Sequence, residues 1–219
     1  MNTILGFFDK LGWDIVQHSY EHLVLCFFSV AVAVAIALPL GILLTRCRWV
    51  RVADAVMLSA AVIQTIPTLA LIALIVLVCA LLKLQTIGTL PAMVALVLYA
   101  LLPVLRNTYT GIRQVDPTLI EVARGLGMRP RQILLAVELP LSLPVIMAGI
   151  RISTVWTIGI ATLCALIGAG GLGDLIMRGL RTIQIDYLLA GTIPAALMAI
   201  VFDGLLVRIE RWLTPEGVR

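Results

Sequence analysis

Charge is what this chain has little of. Only 13% of its 219 residues are Asp, Glu, Lys or Arg, against about 25% in a soluble domain. Hydrophobic residues make up 61%, and the mean hydropathy is +1.09. That balance excludes a soluble enzyme, a nucleic-acid binder and a disordered tail. Zinc-type cysteine spacing is missing as well. Cys26, Cys47, Cys79 and Cys164 lie in or beside apolar runs and read as small hydrophobes. The nucleotide-cradling pattern G-x-x-x-x-G-K-[ST] does not occur, so phosphates are not held here in that way. A cleavable signal is not expected either, because Asp9, Lys10, Asp14 and Glu21 precede the first apolar run where a basic region belongs.

What is present is a series of long apolar runs. A membrane-crossing helix needs about 20 mostly apolar residues, and charge-free stretches of that size predict five. They run from Leu23 to Thr45, between Asp54 and Lys83, between Lys83 and Arg106, from Arg151 to Asp174, and from Tyr187 to Val207. Their leucine and alanine content does not alternate as a barrel strand would. The expectation is an all-α integral membrane protein forming a single domain over 1–219. Residues 1–22 would form an interfacial segment, in which Ile4 to Tyr20 makes an amphipathic helix with Phe7, Phe8 and Trp13 against lipid.

Basic residues set the orientation. Twelve of the sixteen fall on one side: Arg46, Arg48, Arg51, Arg106, Arg113, Arg124, Arg129, Arg131, Arg151, Arg208, Arg211 and Arg219. Lys10, Lys83, Arg178 and Arg181 fall on the other. The side with twelve is expected in the cytoplasm, which places the N-terminus outside and the C-terminus inside. Trp49 and Trp212 sit where interfacial aromatics belong.

The loop from 106 to 140 has its own helical grammar. Asp116-Pro117 offers an N-cap followed by proline at the first helical position. A short helix from Thr118 to Arg124 can end at Gly125 and Gly127, and a second can run from Pro130 to a break at Pro140. Glu121-Val122-Ala123, three residues, Gly127, nine residues, then Val137-Glu138-Leu139-Pro140 resembles the EAA signature of ABC importer permeases. Val122 and Val137 are conservative departures. The resemblance continues in Gln64-Thr65-Ile66-Pro67, Leu101-Leu102-Pro103, Arg106 to Ile112, and Gly168 to Asp174, which look like the permease of osmoprotectant importers. Those systems carry glycine betaine, carnitine, choline and related quaternary amines. The methionine importer permease is the alternative within the same class.

The resemblance implies a type I importer permease fold in a bacterial cell membrane, the inner one in a Gram-negative cell. It also implies partners: ABC ATPase subunits, a second permease (identical or homologous) and an external substrate-binding protein, with no nucleic acid. Glu121, Ala123, Arg124, Gly127, Leu139 and Pro140 would then couple to the ATPase. ATP and magnesium would stay on that partner, with neither catalytic nor metal-binding residues on this chain. With no soluble ligand-binding domain after Arg219, solute capture is expected to be delegated. The path for a net-neutral zwitterion should be uncharged. Its candidates are Gln64, Thr65, Thr68, Ser153, Thr154, Thr157 and Thr162, with Trp156 as an indole face for a quaternary ammonium.

Two further patterns compete for attention. Gly168, Gly170 and Gly173 spell G-x-G-x-x-G, but no strand and soluble βαβ unit surround them, so a tight glycine bend is expected. His18-Ser19-Tyr20-Glu21-His22 spells H-x-x-E-H and supplies a rival class, a membrane metalloprotease. Its third ligand would have to be a carboxylate such as Asp174 or Asp186.

Overall fold

The computed structural model describes residues 2–47 and 50–214, and side chains within these apart from residues 2–10 and residue 50. The expected surroundings of the Phe7, Phe8 and Lys10 side chains, and the places of Arg48, Trp49 and Arg219, therefore lie outside what is described. Helices in chain order are α1 (Asn2–Arg46), α2 (Val50–Thr65), α3 (Thr68–Leu81), α4 (Thr89–Arg113), α5 (Pro117–Gly125), α6 (Pro130–Ile133), α7 (Leu139–Ala161), α8 (Leu172–Thr182) and α9 (Ile185–Leu213). A π-helical turn, Leu134–Glu138, joins α6 to α7, and a 3-10 turn, Leu163–Ile167, follows α7.

Four segments are long and apolar enough to cross a membrane by themselves: Leu11–Arg46, Thr89–Arg113, Pro130–Ala161 and Ile185–Leu213. The helices α2 and α3 pass the same test only when taken together as one segment, bent by 105°, which brings the candidate spans to four or five. The all-helical expectation holds among the described residues, and four of the expected segment boundaries change. The N-terminal segment is continuous with the first span, α1 running unbroken from residue 2 into it. The second span is broken at Ile66-Pro67, since proline disfavours a helical residue before it and donates no N–H. The third runs past Arg106 to Arg113. The fourth begins well before Arg151 and ends at Ala161, not Asp174.

Arg151 is tolerated inside α7 because α9 supplies its counter-charges. Its Nε and Nη2 donate to Asp203 at 2.9 and 3.2 Å, and Nη1 lies 3.5 Å from Glu210. An arginine so paired no longer marks the end of a span. Proline at 140 likewise fails to break the helix. It stands in the first turn of α7, and the wider π turn just before it absorbs the missing donor.

Close approach of α1 and α4 centres the bundle, with α7 packed against both and α9 closing against α7 and α8. Ser29, Ala33, Ala37 and Gly41 recur every fourth residue on α1 and are fully buried. Small residues at that spacing let two backbones come together where lipid offers no hydrophobic drive. Gly41 shows how close: a Cβ there would stand 2.8 Å from the Thr108 side chain of α4. Gly41→Leu should therefore lower the stability of the purified protein by about 1–3 kcal/mol through overpacking, read as a depressed melting temperature in detergent. Gly204→Leu, where a Cβ meets nothing within 4 Å, should leave it unchanged.

Candidate functional site

The knob between α4 and α7 is built from capping chemistry. Asp116 caps α5, its Oδ1 accepting from the Thr118 N–H at 2.8 Å, with Pro117 at the first helical position. At the other end the Gly127 N–H donates to the Arg124 carbonyl at 2.9 Å, and the Met128 N–H to the Ala123 carbonyl at 3.1 Å. That pair of bonds is a Schellman motif, which needs a left-handed residue four places after the first acceptor. Gly127, with φ of 78°, is that residue. The alanine-to-glycine spacing of the signature is thus the spacing of a helix stop. Ala123 is buried, while Glu121, Arg124 and Gly127 face outward. So do three large apolar side chains of one stripe, Leu119, Val122 and Leu126, at 45%, 56% and 77% exposure.

The base of the knob is fixed by a contact the sequence reading passed over. Glu138 is 2% exposed and forms a two-pronged ion pair with Arg46 at the end of α1, one arm being Nη1 to Oε1 at 3.1 Å. A lone acid between Val137 and Leu139 is the signal that it needs a partner. Leu139 and Pro140 follow, half-buried, at the start of α7. Glu121, Ala123, Arg124 and Gly127 therefore lie on the knob itself, and Leu139 and Pro140 at its root.

The polar residues within the spans separate into groups. Gln64 donates to the Tyr99 carbonyl at 2.9 Å, and the Tyr99 hydroxyl donates to the Ile66 carbonyl, so the break in the second span is pinned to α4. Thr65 and Thr68 flank that break, exposed and half-buried. On α7, Ser153 donates to the Ala100 carbonyl at 2.6 Å and Thr154 to its own helix at Ile150. Thr157 is buried with its hydroxyl unpartnered. Trp156 is on the opposite face, 51% exposed, and Thr162 closes α7 with its hydroxyl on the Gly159 carbonyl.

The two competing patterns meet each other at the far end of the bundle. Gly168, Gly170 and Gly171 all have φ between 71° and 78°, and the bend they form precedes α8 with no strand nearby among the described residues. The Gly171 N–H donates to Glu21 Oε2 at 3.1 Å, and a Cβ on Gly171 would press on His22 at 3.0 Å. His22 is wholly buried with Nε2 3.1 Å from the Ile158 carbonyl, and His18 Nδ1 lies 3.3 Å from Glu21. Nearby, burial pushes the Asp174 carboxyl above the ordinary range, while the His18 charge pulls it back. The histidines and the glycines are thus used in packing α1 against the bend. No group of three His, Cys, Asp or Glu among the described residues is arranged to hold a metal ion.

Long apolar helices, a broken span and a polar knob at one end define a multi-pass membrane protein of the permease type. Residues 37–215 match the family described as binding-protein-dependent transport system inner membrane component, and the chain belongs to that family. It is 43% identical over its whole length to the choline transport system permease protein OpuBB of Bacillus subtilis, covering 97% of it. It is 44% identical to the carnitine transport permease protein OpuCB of Listeria monocytogenes, again covering all of this chain and 97% of that one. Against the osmoprotectant import permease protein OsmW of Salmonella typhimurium the identity is 42%, over the full length of both. The fold is that of a chain in the MetNI methionine ABC transporter, solved in inward-facing conformations. The TM-score is 0.84 at 23% identity, with 94% of this chain and 99% of that one covered.

The packing role of the histidines sets an expectation for the metalloprotease alternative. His18→Ala should leave both metal content and transport as in the unaltered protein. His22→Asn, which leaves less void than alanine, should cost stability without removing any bound zinc. Metal analysis of protein purified in zinc-supplemented buffer checks both, and one equivalent of zinc lost in either variant would revive the alternative.

Proposed function

We propose that this chain is the permease subunit of an ABC importer for osmoprotectant quaternary amines such as choline, carnitine and glycine betaine. The names carried by its full-length relatives at 42–44% identity support that substrate class over methionine. ATP hydrolysis, with its magnesium, belongs to separate subunits, an external binding protein delivers the solute, and a second permease completes the path. The knob end faces the cytoplasm, in keeping with the arginines around it.

The observation that carries the coupling role is the outward stripe of Leu119, Val122 and Leu126 beside Glu121 and Arg124. An amphipathic helix offering anchors at i, i+3 and i+7 is the form that fits a groove on another protein. Glu121 and Arg124 add one charge of each sign for register, and Gly127 keeps the turn low enough for close approach. At the root, Leu139 and Pro140 carry the movement into α7. Within the membrane, Thr65 and Thr68 at the broken span and Trp156 and Thr162 on α7 are open enough to form the uncharged part of the path, while Gln64, Ser153, Thr154 and Thr157 are held inside the bundle and shape its wall. Irregular backbone at that depth is tolerated where protein or water, not lipid, surrounds it.

Gly127→Asp tests the docking. Aspartate tolerates the left-handed conformation better than most residues, and a Cβ at Gly127 meets nothing within 4 Å in this chain. The variant should therefore insert and fold, yet lose the ATPase on affinity capture or hydrolyse ATP without uptake of labelled glycine betaine or choline. Full assembly with undiminished uptake would refute the assignment.

A further inference from the structure

The open face of α7 leads to a second feature of the path. Ile152, Trp156 and Gly159 recur at i, i+4 and i+7 and are all exposed, while the opposite face, carrying Ser153, Thr157 and Ala161, is buried. A Cβ on Gly159 would meet nothing within 4 Å, so the strip is open at that point as well. At its other end it opens into a cleft of about 340 Å³ between α7 and α9, lined by Ala148, Arg151, Ile152, Val155, Trp156 and Asp203. That volume is within the range of small-molecule sites, roughly 300–1,000 Å³.

The cleft's charges are incompletely used. A guanidinium has five N–H donors; Asp203 takes two, and Glu210 stands within ion-pair distance of a third. The Arg151 and Asp203 side chains remain 31% and 39% exposed. Charges that open, on helices long enough to span a bilayer, belong beside water or protein and not hydrocarbon. The lining carries one cation and one acid, both partly open, next to an indole face that attracts quaternary ammonium groups.

We propose that the Arg151–Trp156–Asp203 cleft is a transient binding site on the translocation path for a zwitterionic quaternary amine. The ammonium lies against Trp156 on the Asp203 side, and the carboxylate takes the free guanidinium donors of Arg151. This rests on the osmoprotectant reading and adds to it a means of telling betaines from choline, which has no carboxylate. A second permease covering the same strip is the competing use of this surface, and it predicts no solute selectivity.

The test is uptake by the assembled transporter, captured with its partner subunits through a tag on this chain and reconstituted into proteoliposomes with saturating binding protein. Maximal rates are measured for labelled glycine betaine and choline, since the binding protein sets the half-saturating concentration. Arg151→Lys, which keeps the charge but loses the fork, should lower the glycine betaine to choline rate ratio about threefold or more. Trp156→Phe and Trp156→Leu alter an exposed residue outside the ion pair, and should slow both solutes in the order Trp, Phe, Leu. An unchanged ratio in Arg151→Lys, or Leu equal to Phe or better, would overturn the site while leaving the osmoprotectant reading intact. If the unaltered transporter moves neither solute, that reading fails and the site falls with it.

Discussion

In hydrocarbon a peptide group has no water to turn to, so each place where the helices stop or bend must find its partners within the protein. The structure meets that requirement at every irregularity described. Around the Pro67 break, Tyr99 and Gln64 bring α4 to the exposed backbone. Before Pro140 the helix widens into a π turn and continues. After α7 the Gly88 N–H donates to the Ile167 carbonyl at 2.7 Å, and Glu21 receives the Gly171 N–H. The same requirement explains why Arg151 and Glu138 occur only with counter-charges from neighbouring helices.

Much of this was legible in the sequence, because hydropathy and the helix-capping residues act locally. The apolar runs marked out the long helices, and Asp116-Pro117 and Gly127 gave the ends of α5 before any packing was known. What the sequence hid depends on partners far along the chain. Arg151 looks like a boundary until Asp203, 52 residues later, is seen beside it. Pro67 and Pro140 look alike as breakers, yet one stands at a bend of 105° and the other inside a helix that continues from Pro130 to Ala161, because the π turn before Pro140 absorbs the missing donor. The path residues were legible only as a set of polar side chains; which of them bond within the chain depends on helix rotation, and so does the exposure of Trp156.

Motif matching gains from being traced to backbone geometry. The alanine and glycine of the knob signature stand four residues apart because a Schellman stop requires it. That stop uses none of the exposed side chains of Leu119, Val122 and Leu126. The misleading patterns yield to the same treatment. The histidine pair and the glycine run would each suggest an enzyme in isolation, but together they form one packed joint between α1 and the bend before α8.

The unbroken passage from the knob into α7 has a mechanical consequence. From Leu139 to Ala161 the helix has 23 residues, a rod of about 35 Å at 1.5 Å per residue. Gripped at the knob and tilted by about 10°, such a rod sweeps its far tip through about 6 Å, roughly the pitch of one helical turn. The Arg46–Glu138 pair pins α1 to the same root, so two struts would swing where one is pushed. A tilt of that size would be largest at the glycine bend that follows α7, where Gly168, Gly170 and Gly171 hold left-handed conformations.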